Sequence, residues 1–160
     1  LFRSRRYPGR HQGDAVISIP ADLMQQINDA AEAAYPEECC GLLAGRTAAN
    51  GDITVTRLGI SNNVASGDRS RRFEVDPKVR FDLMRALDDG DIDEAEEIIG
   101  HYHSHPNHPA RPSEHDLEMA FEPDLIWLII GVENGRATDA TAWGLNDAAS
   151  GFDAVAISSN

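Results

Sequence analysis

An α/β domain with a mixed β-sheet flanked by helices follows from three features of this sequence. Apolar residues recur at helical spacing in some segments and form short runs of strand length in others. Two of those runs are joined by an Asn50-Gly51 turn, which makes an antiparallel hairpin, while other strands are separated by helical segments. The chain has 160 residues, 41% hydrophobic and 26% charged, which suits one ordinary domain with a real core.

Residues 1–14 read as a flexible basic tail, because Arg3, Arg5, Arg6 and Arg10 have no apolar stretch after them. The domain proper is expected over 15–160. Ala15 to Ile19 reads as a strand. Pro20 stands where proline opens a helix, with Leu23, Ile27, Ala31 and Ala34 on one face until Pro36 closes it. Cys40 to Ala44 and Ile53 to Leu58 form the hairpin. Residues 59–71 are polar and turn-rich, hence a loop, and Arg72 to Val75 reads as a brief strand. Asp76-Pro77 starts a helix carrying Val79, Leu83, Met84 and Leu87, with Gly90 as its stop. Beyond the acidic stretch Asp91 to Glu97, strands are expected at Ile98 to His103, Leu125 to Val132 and Ala137 to Leu145. A short helix opens at Ser113 and continues through Leu117, Met119 and Ala120, and Asp153 to Ile157 adds an edge strand.

Composition removes several classes of function. The net charge of −13 argues against a nucleic-acid partner, since phosphate binding needs basic surface. The longest apolar run, Leu125 to Val132, is far shorter than a membrane span, and with no secretory signal the chain reads as a soluble cytoplasmic protein. The two cysteines, Cys39 and Cys40, are adjacent, so a disulfide between them would be strained, and both read as small packing residues. No C-x-x-C pair of a structural zinc site is present. The H-x-E and P-C-x-x-C patterns of a zinc deaminase are also missing.

The chemistry concentrates in HYHSHPNHPARPSEHD, residues 101–116, which holds five of the six histidines. Imidazoles grouped with a carboxylate mark a metal site. In an extended strand His103 and His105 project to one side and can share an ion, while Ser104 points to the other. Pro106 lacks a donor and has a fixed φ, so the strand should stop there. Asn107, Pro109 and Pro112 then form a rigid loop that can bring Ser113 and Asp116 back to the pair. Ser113 followed three residues later by Asp116 is a variant capping box, which places Asp116 in the first helical turn, where the helix dipole favours its charge. Two neutral imidazoles and one carboxylate are a frequent catalytic zinc set.

This string resembles the JAMM (MPN-plus) metalloprotease signature, in which H-x-H is followed by ten residues and an Asp, with P-S-x-x-D closing it. His103-Ser104-His105-Pro106, residues 106–115, Pro112-Ser113 and Asp116 match every motif position. The family's upstream Glu, three residues before a Gly that starts a strand, is similar to Glu38 in Pro36-Glu37-Glu38-Cys39-Cys40-Gly41. Arg72-Phe73-Glu74-Val75-Asp76-Pro77 extends the resemblance, which covers roughly 15–145. It implies an MPN domain like the deaminase-type α/β sandwich, one zinc ion held by His103, His105 and Asp116, Glu38 as general base and acid, and Ser113 as oxyanion donor. The compact members it most resembles cleave the bond after the Gly-Gly tail of a ubiquitin-like or sulfur-carrier protein. The leaving group there is a lysine conjugate or a terminal cysteine. The rival reading is a non-catalytic MPN scaffold, which typically lacks some of these residues.

The other marked residues read more plainly. His101 shares strand parity with His103 and is expected beside the site or in the core, while His108 and His115 are expected to be exposed. Trp127 and Trp143 should pack in the core. Arg69, Arg71 and Arg72 make a basic stretch on an acidic chain, and the 59–71 loop is expected to border the groove for an extended substrate tail.

Overall fold

A computed structural model describes residues 14–90 and 95–159. In chain order the elements are β1 (Val16–Ile19), α1 (Ala21–Ala34), β2 (Cys40–Thr47), β3 (Ile53–Ser61), α2 (Pro77–Asp88) and β4 (Glu97–Pro106). They continue with α3 (Glu114–Glu118), β5 (Ile126–Glu133), β6 (Arg136–Leu145) and β7 (Phe152–Ser159). The sheet is mixed, in the order β1-β3-β2-β4-β5-β6-β7, and closes on itself because β1 pairs in parallel with both β3 and β7. The pair β4–β5 is also parallel, and the remaining neighbours are antiparallel. No helix among the described residues is long and apolar enough to cross a membrane.

Strand alternation sorts the core onto two faces. On one, Ile27 and Ala31 of α1 pack with Ile17, Leu43, Val55, Tyr102 and Leu128; on the other, Leu83 of α2 packs with Leu42 and Ala44. Each fully buried Ile or Leu contributes about 1.5–3 kcal/mol by leaving water. Tyr102 therefore belongs to the α1 side, which turns its neighbours His101 and His103 to the other. The Tyr102 ring occupies the space a Cβ on Gly41 would need, so only glycine lets β2 and β4 close over it.

Most expected elements are present, several with longer bounds. β3 runs through Ser61, so the polar loop begins at residue 62 and not at 59. Arg72 to Val75 is not a strand: a single bridge, Asn63 to Val75, is all that pairs there. The Asn63 side chain replaces a ladder. Its Oδ1 accepts from the backbone N–H of Ala65 and Glu74, and its Nδ2 donates to the carbonyls of Glu38 and Arg72. α3 stops at Glu118, short of Met119 and Ala120. β7 is not an edge strand, since it lies between β6 and β1. Apart from Asp14, the tail expected over 1–14 lies outside the described residues, as do residues 91–94 of the acidic stretch.

Candidate metal centre

β4 carries the two imidazoles. His103 pairs across the ladder with Cys40, and its ring stacks on Phe73 at 4.3 Å between centroids. Both His103 and His105 are buried. Ser104, on the opposite side of the strand, accepts a hydrogen bond from the Cys39 N–H at 2.7 Å and donates its own N–H to the Cys39 carbonyl at 3.2 Å. That double contact fixes the residue next to Glu38. The Glu38 N–H donates to the Arg69 carbonyl at 2.8 Å, so the loop also holds it from the other side.

β4 ends at Pro106, as the proline requires, and Asn107 takes a left-handed φ of 58°. Asparagine tolerates that region better than most residues. The Asn107 N–H reaches the Val132 carbonyl at 2.6 Å, and the chain turns back towards the site. At Ser113 the capping box is complete: Asp116 N–H donates to Ser113 Oγ at 3.1 Å, and Ser113 N–H donates to Asp116 Oδ2 at 2.9 Å. The box does more than start α3. It also aims the buried Asp116 carboxylate at the histidines.

Four side chains meet. His103 Nε2 and His105 Nε2 stand 2.9 Å apart, with Asp116 Oδ1 3.4 Å from the first and Oδ2 3.2 Å from the second. Glu38 Oε1 lies 3.9 Å from His103 Nε2 and 4.0 Å from His105 Nε2. Glu38, His103 and His105 together offer ligand atoms within 4.8 Å of one another. The donor chemistry fits a metal ion. His105 Nδ1 sits 2.7 Å from the Pro109 carbonyl, which can only accept; the ring proton is therefore on Nδ1, leaving the Nε2 lone pair facing Asp116. Lone pairs and carboxylate charge thus converge in a buried site, where a cation or shared protons would compensate them.

Spacing separates the four. Ligands of a tetrahedral ion at about 2.0–2.1 Å lie about 3.3–3.4 Å from each other. The distances among His103, His105 and Asp116 are close to that edge, whereas those from Glu38 exceed it, which leaves room for a water between Glu38 and the ligand set. Burial, with Asp116 and Asp68 nearby, pushes the Glu38 carboxyl up to about 8. Burial works the same way on Asp116, but the His103 imidazole and the Ser113 N–H outweigh it and hold that carboxyl well below the usual range. Burial also lowers His103, which favours its neutral, metal-competent form.

The site opens into a cleft of about 680 Å³ walled by Ser70 and Arg71 on the loop side and by His108, Ser113 and His115 beyond His105. The 59–71 loop therefore does border a groove. Ser113 is exposed at this cleft, and because its Oγ accepts from Asp116, its hydroxyl proton is available to a substrate. His101 stays outside the group and packs edge-on against Trp127 at 4.2 Å. Cys39 and Cys40 are free and buried. Trp127 is buried, while Trp143 is only partly so. Three contributors escaped the sequence reading. His108 is exposed as expected, but its ring also stacks on His105 at 4.4 Å. Phe73 backs His103, and Asn63 ties the loop to Glu38. The first lies in the histidine cluster and could have been suspected; a lone Phe and an Asn in a turn-rich stretch carry no such signal.

The closed mixed sheet, the His-x-His strand and the capped Asp define a JAB/MPN-type domain. A family model described as prokaryotic homologs of the JAB domain matches residues 20–146, and the chain belongs to that family. It is 32% identical over 126 residues to a desampylase of Haloferax volcanii, an alignment covering 76% of this chain and 84% of that protein. It is 29% identical over 135 residues to the CysO-cysteine peptidase of Mycobacterium tuberculosis, covering 84% and 86%. Among solved structures, a protein of Desulfitobacterium hafniense superposes with a TM-score of 0.75 at 29% identity, covering 90% of this chain and 92% of its own.

Proposed function

We propose that this protein is a zinc-dependent peptidase or isopeptidase that cuts the bond after the C-terminal Gly-Gly of a ubiquitin-like or sulfur-carrier protein. The observation that carries this reading is the convergence of His103, His105 and Asp116 at ligand spacing, with Glu38 just beyond them and His105 on the wall of an open cleft. Two relatives, a desampylase and a CysO-cysteine peptidase, support the substrate class.

His103, His105 and Asp116 would hold the ion. When bound, zinc supplies Lewis-acid polarisation and a water acidic enough to react near neutral pH. Glu38 takes the proton of the attacking water and delivers it to the leaving amine. Ser113 donates its hydroxyl to the oxygen that gains charge as the carbonyl becomes tetrahedral. Phe73 and His108, stacked on the two imidazoles, hold the rings in position.

The test is to incubate the zinc-loaded protein with ubiquitin-fold proteins extended beyond Gly-Gly and follow the new terminus by mass spectrometry. Cleavage at that bond is expected, with Glu38→Gln slower by about 10²–10⁴-fold, the usual contribution of a general base. Cleavage that persists unchanged in Glu38→Gln or in excess chelator overturns the mechanism.

A further inference from the structure

The loop over the cleft carries three arginines, and they are used differently. Arg69 is spent on the loop itself: its Nε donates to the Ala65 carbonyl at 2.9 Å. Arg72 accepts from Asn63 through its carbonyl and does not line the cleft. Arg71 does line it, on the same cavity as His105 and Ser113. The adjacent acid, Asp68, has its Oδ1 occupied by the N–H and hydroxyl of Ser70, at 3.0 and 2.6 Å. Among the described residues no carboxylate lies within ion-pair distance of Arg71. Arg71 is thus an exposed cation on the wall of the cleft, beyond ion-pair distance of Asp68 although its charge lowers that carboxyl, on a chain whose net charge is −13.

A guanidinium in that position selects a planar anion, since its fork of N–H donors matches a carboxylate. The two leaving groups open to a Gly-Gly hydrolase differ in this feature. In both cases water oxygen bonds to the carbonyl carbon, the C–N bond breaks and the nitrogen leaves with the proton. When the leaving group is one amino acid, a carboxylate stands two bonds from that nitrogen and stays inside the cleft. When it is a lysine side chain, four methylenes follow the nitrogen and no anion is near.

We propose that Arg71 is the specificity residue that receives the α-carboxylate of a single departing amino acid. The substrate class is then a Gly-Gly carrier bearing one C-terminal residue, in preference to a lysine-linked conjugate. This rests on the hydrolase reading above.

The experiment compares one ubiquitin-fold protein ending in Gly-Gly-Cys as the free acid, the same protein as the C-terminal amide, and a Gly-Gly isopeptide on a lysine blocked at both α groups. The zinc-loaded wild type is expected to favour the acid over the amide by at least about tenfold in kcat/KM, as loss of a charge-assisted pair implies. Arg71→Gln should erase that preference, and Arg71→Lys should restore part of it. Affinities measured in a Glu38→Gln background, where substrate is held without turnover, should show the same acid preference and the same loss in Arg71→Gln. Equal cleavage of all three forms, or a preference that survives Arg71→Gln, overturns this assignment and leaves the hydrolase reading standing. Cleavage of none of them removes both.

Discussion

Replacing Asp116 with asparagine keeps the shape of the side chain and removes the charge on which both imidazoles converge. Without metal, two effects oppose each other. The variant loses a carboxylate held between the His103 and His105 rings but removes the negative charge that opposes ionisation of buried Glu38. One Asn oxygen can still accept from Ser113 N–H, so the capping box survives in part. The metal-free melting temperature should therefore move by only a few degrees, about 1 kcal/mol in either direction. With metal the difference is large. A ligand present at about 1,000 times its Kd stabilises the fold by about 4.1 kcal/mol, about 8–16 °C for a chain of this size. If losing the anionic ligand weakens binding about a hundredfold, about 2.7 kcal/mol of that disappears and the rise shrinks to about 3–6 °C. Scanning calorimetry with chelator and then with a fixed excess of zinc measures both numbers. A zinc-induced rise as large in Asp116→Asn as in the wild type would refute the ligand assignment.

Three further substitutions probe the supports of the centre. Ser113→Ala should cost about 1 kcal/mol of stability through the lost cap and lower kcat by about 10²–10³-fold with little change in KM, read from urea midpoints and steady-state kinetics. Ser104→Ala leaves the buried Cys39 N–H without its acceptor, which should cost about 1–3 kcal/mol by urea unfolding. Because Cys39 adjoins Glu38 while the imidazoles stay in place, kcat should fall while zinc affinity by competition with a chromophoric chelator is largely kept. Gly41→Ala puts a methyl group into the Tyr102 ring and should destabilise by about 1–3 kcal/mol or more, read from urea midpoints.

The parts of the site that local rules govern could be read from the sequence. Alternation in a strand put His103 and His105 on one side, Pro106 ended the strand, and Ser113 with Asp116 marked a capped helix start; the structure has all three. The Asn50-Gly51 hairpin was legible for the same reason. What could not be read depends on partners far along the chain. β7 resembles an edge strand until β1, some 140 residues earlier, pairs with it and closes the sheet. Arg72 to Val75 has strand-like composition, yet Asn63 takes up the backbone hydrogen bonds a ladder would have used. The distance between Glu38 and the histidines is likewise set by the β2–β4 ladder, with Cys40 opposite His103, and the spacing along the chain carries no such information. In the absence of the family resemblance, Glu38 reads as one exposed acid beside Glu37; in the fold it is buried.

The proposed chemistry requires that His103, His105 and Asp116 hold a metal ion, with Glu38 outside the ligand set. A crystal structure of the zinc-loaded protein, with anomalous differences collected at the zinc edge, tests it most directly. One peak per chain is expected within about 2.0–2.2 Å of His103 Nε2, His105 Nε2 and an Asp116 oxygen. Glu38 should lie beyond bonding distance and contact a water at the same site. The absence of a peak there, or a peak ligated by Glu38 in place of Asp116, would contradict it.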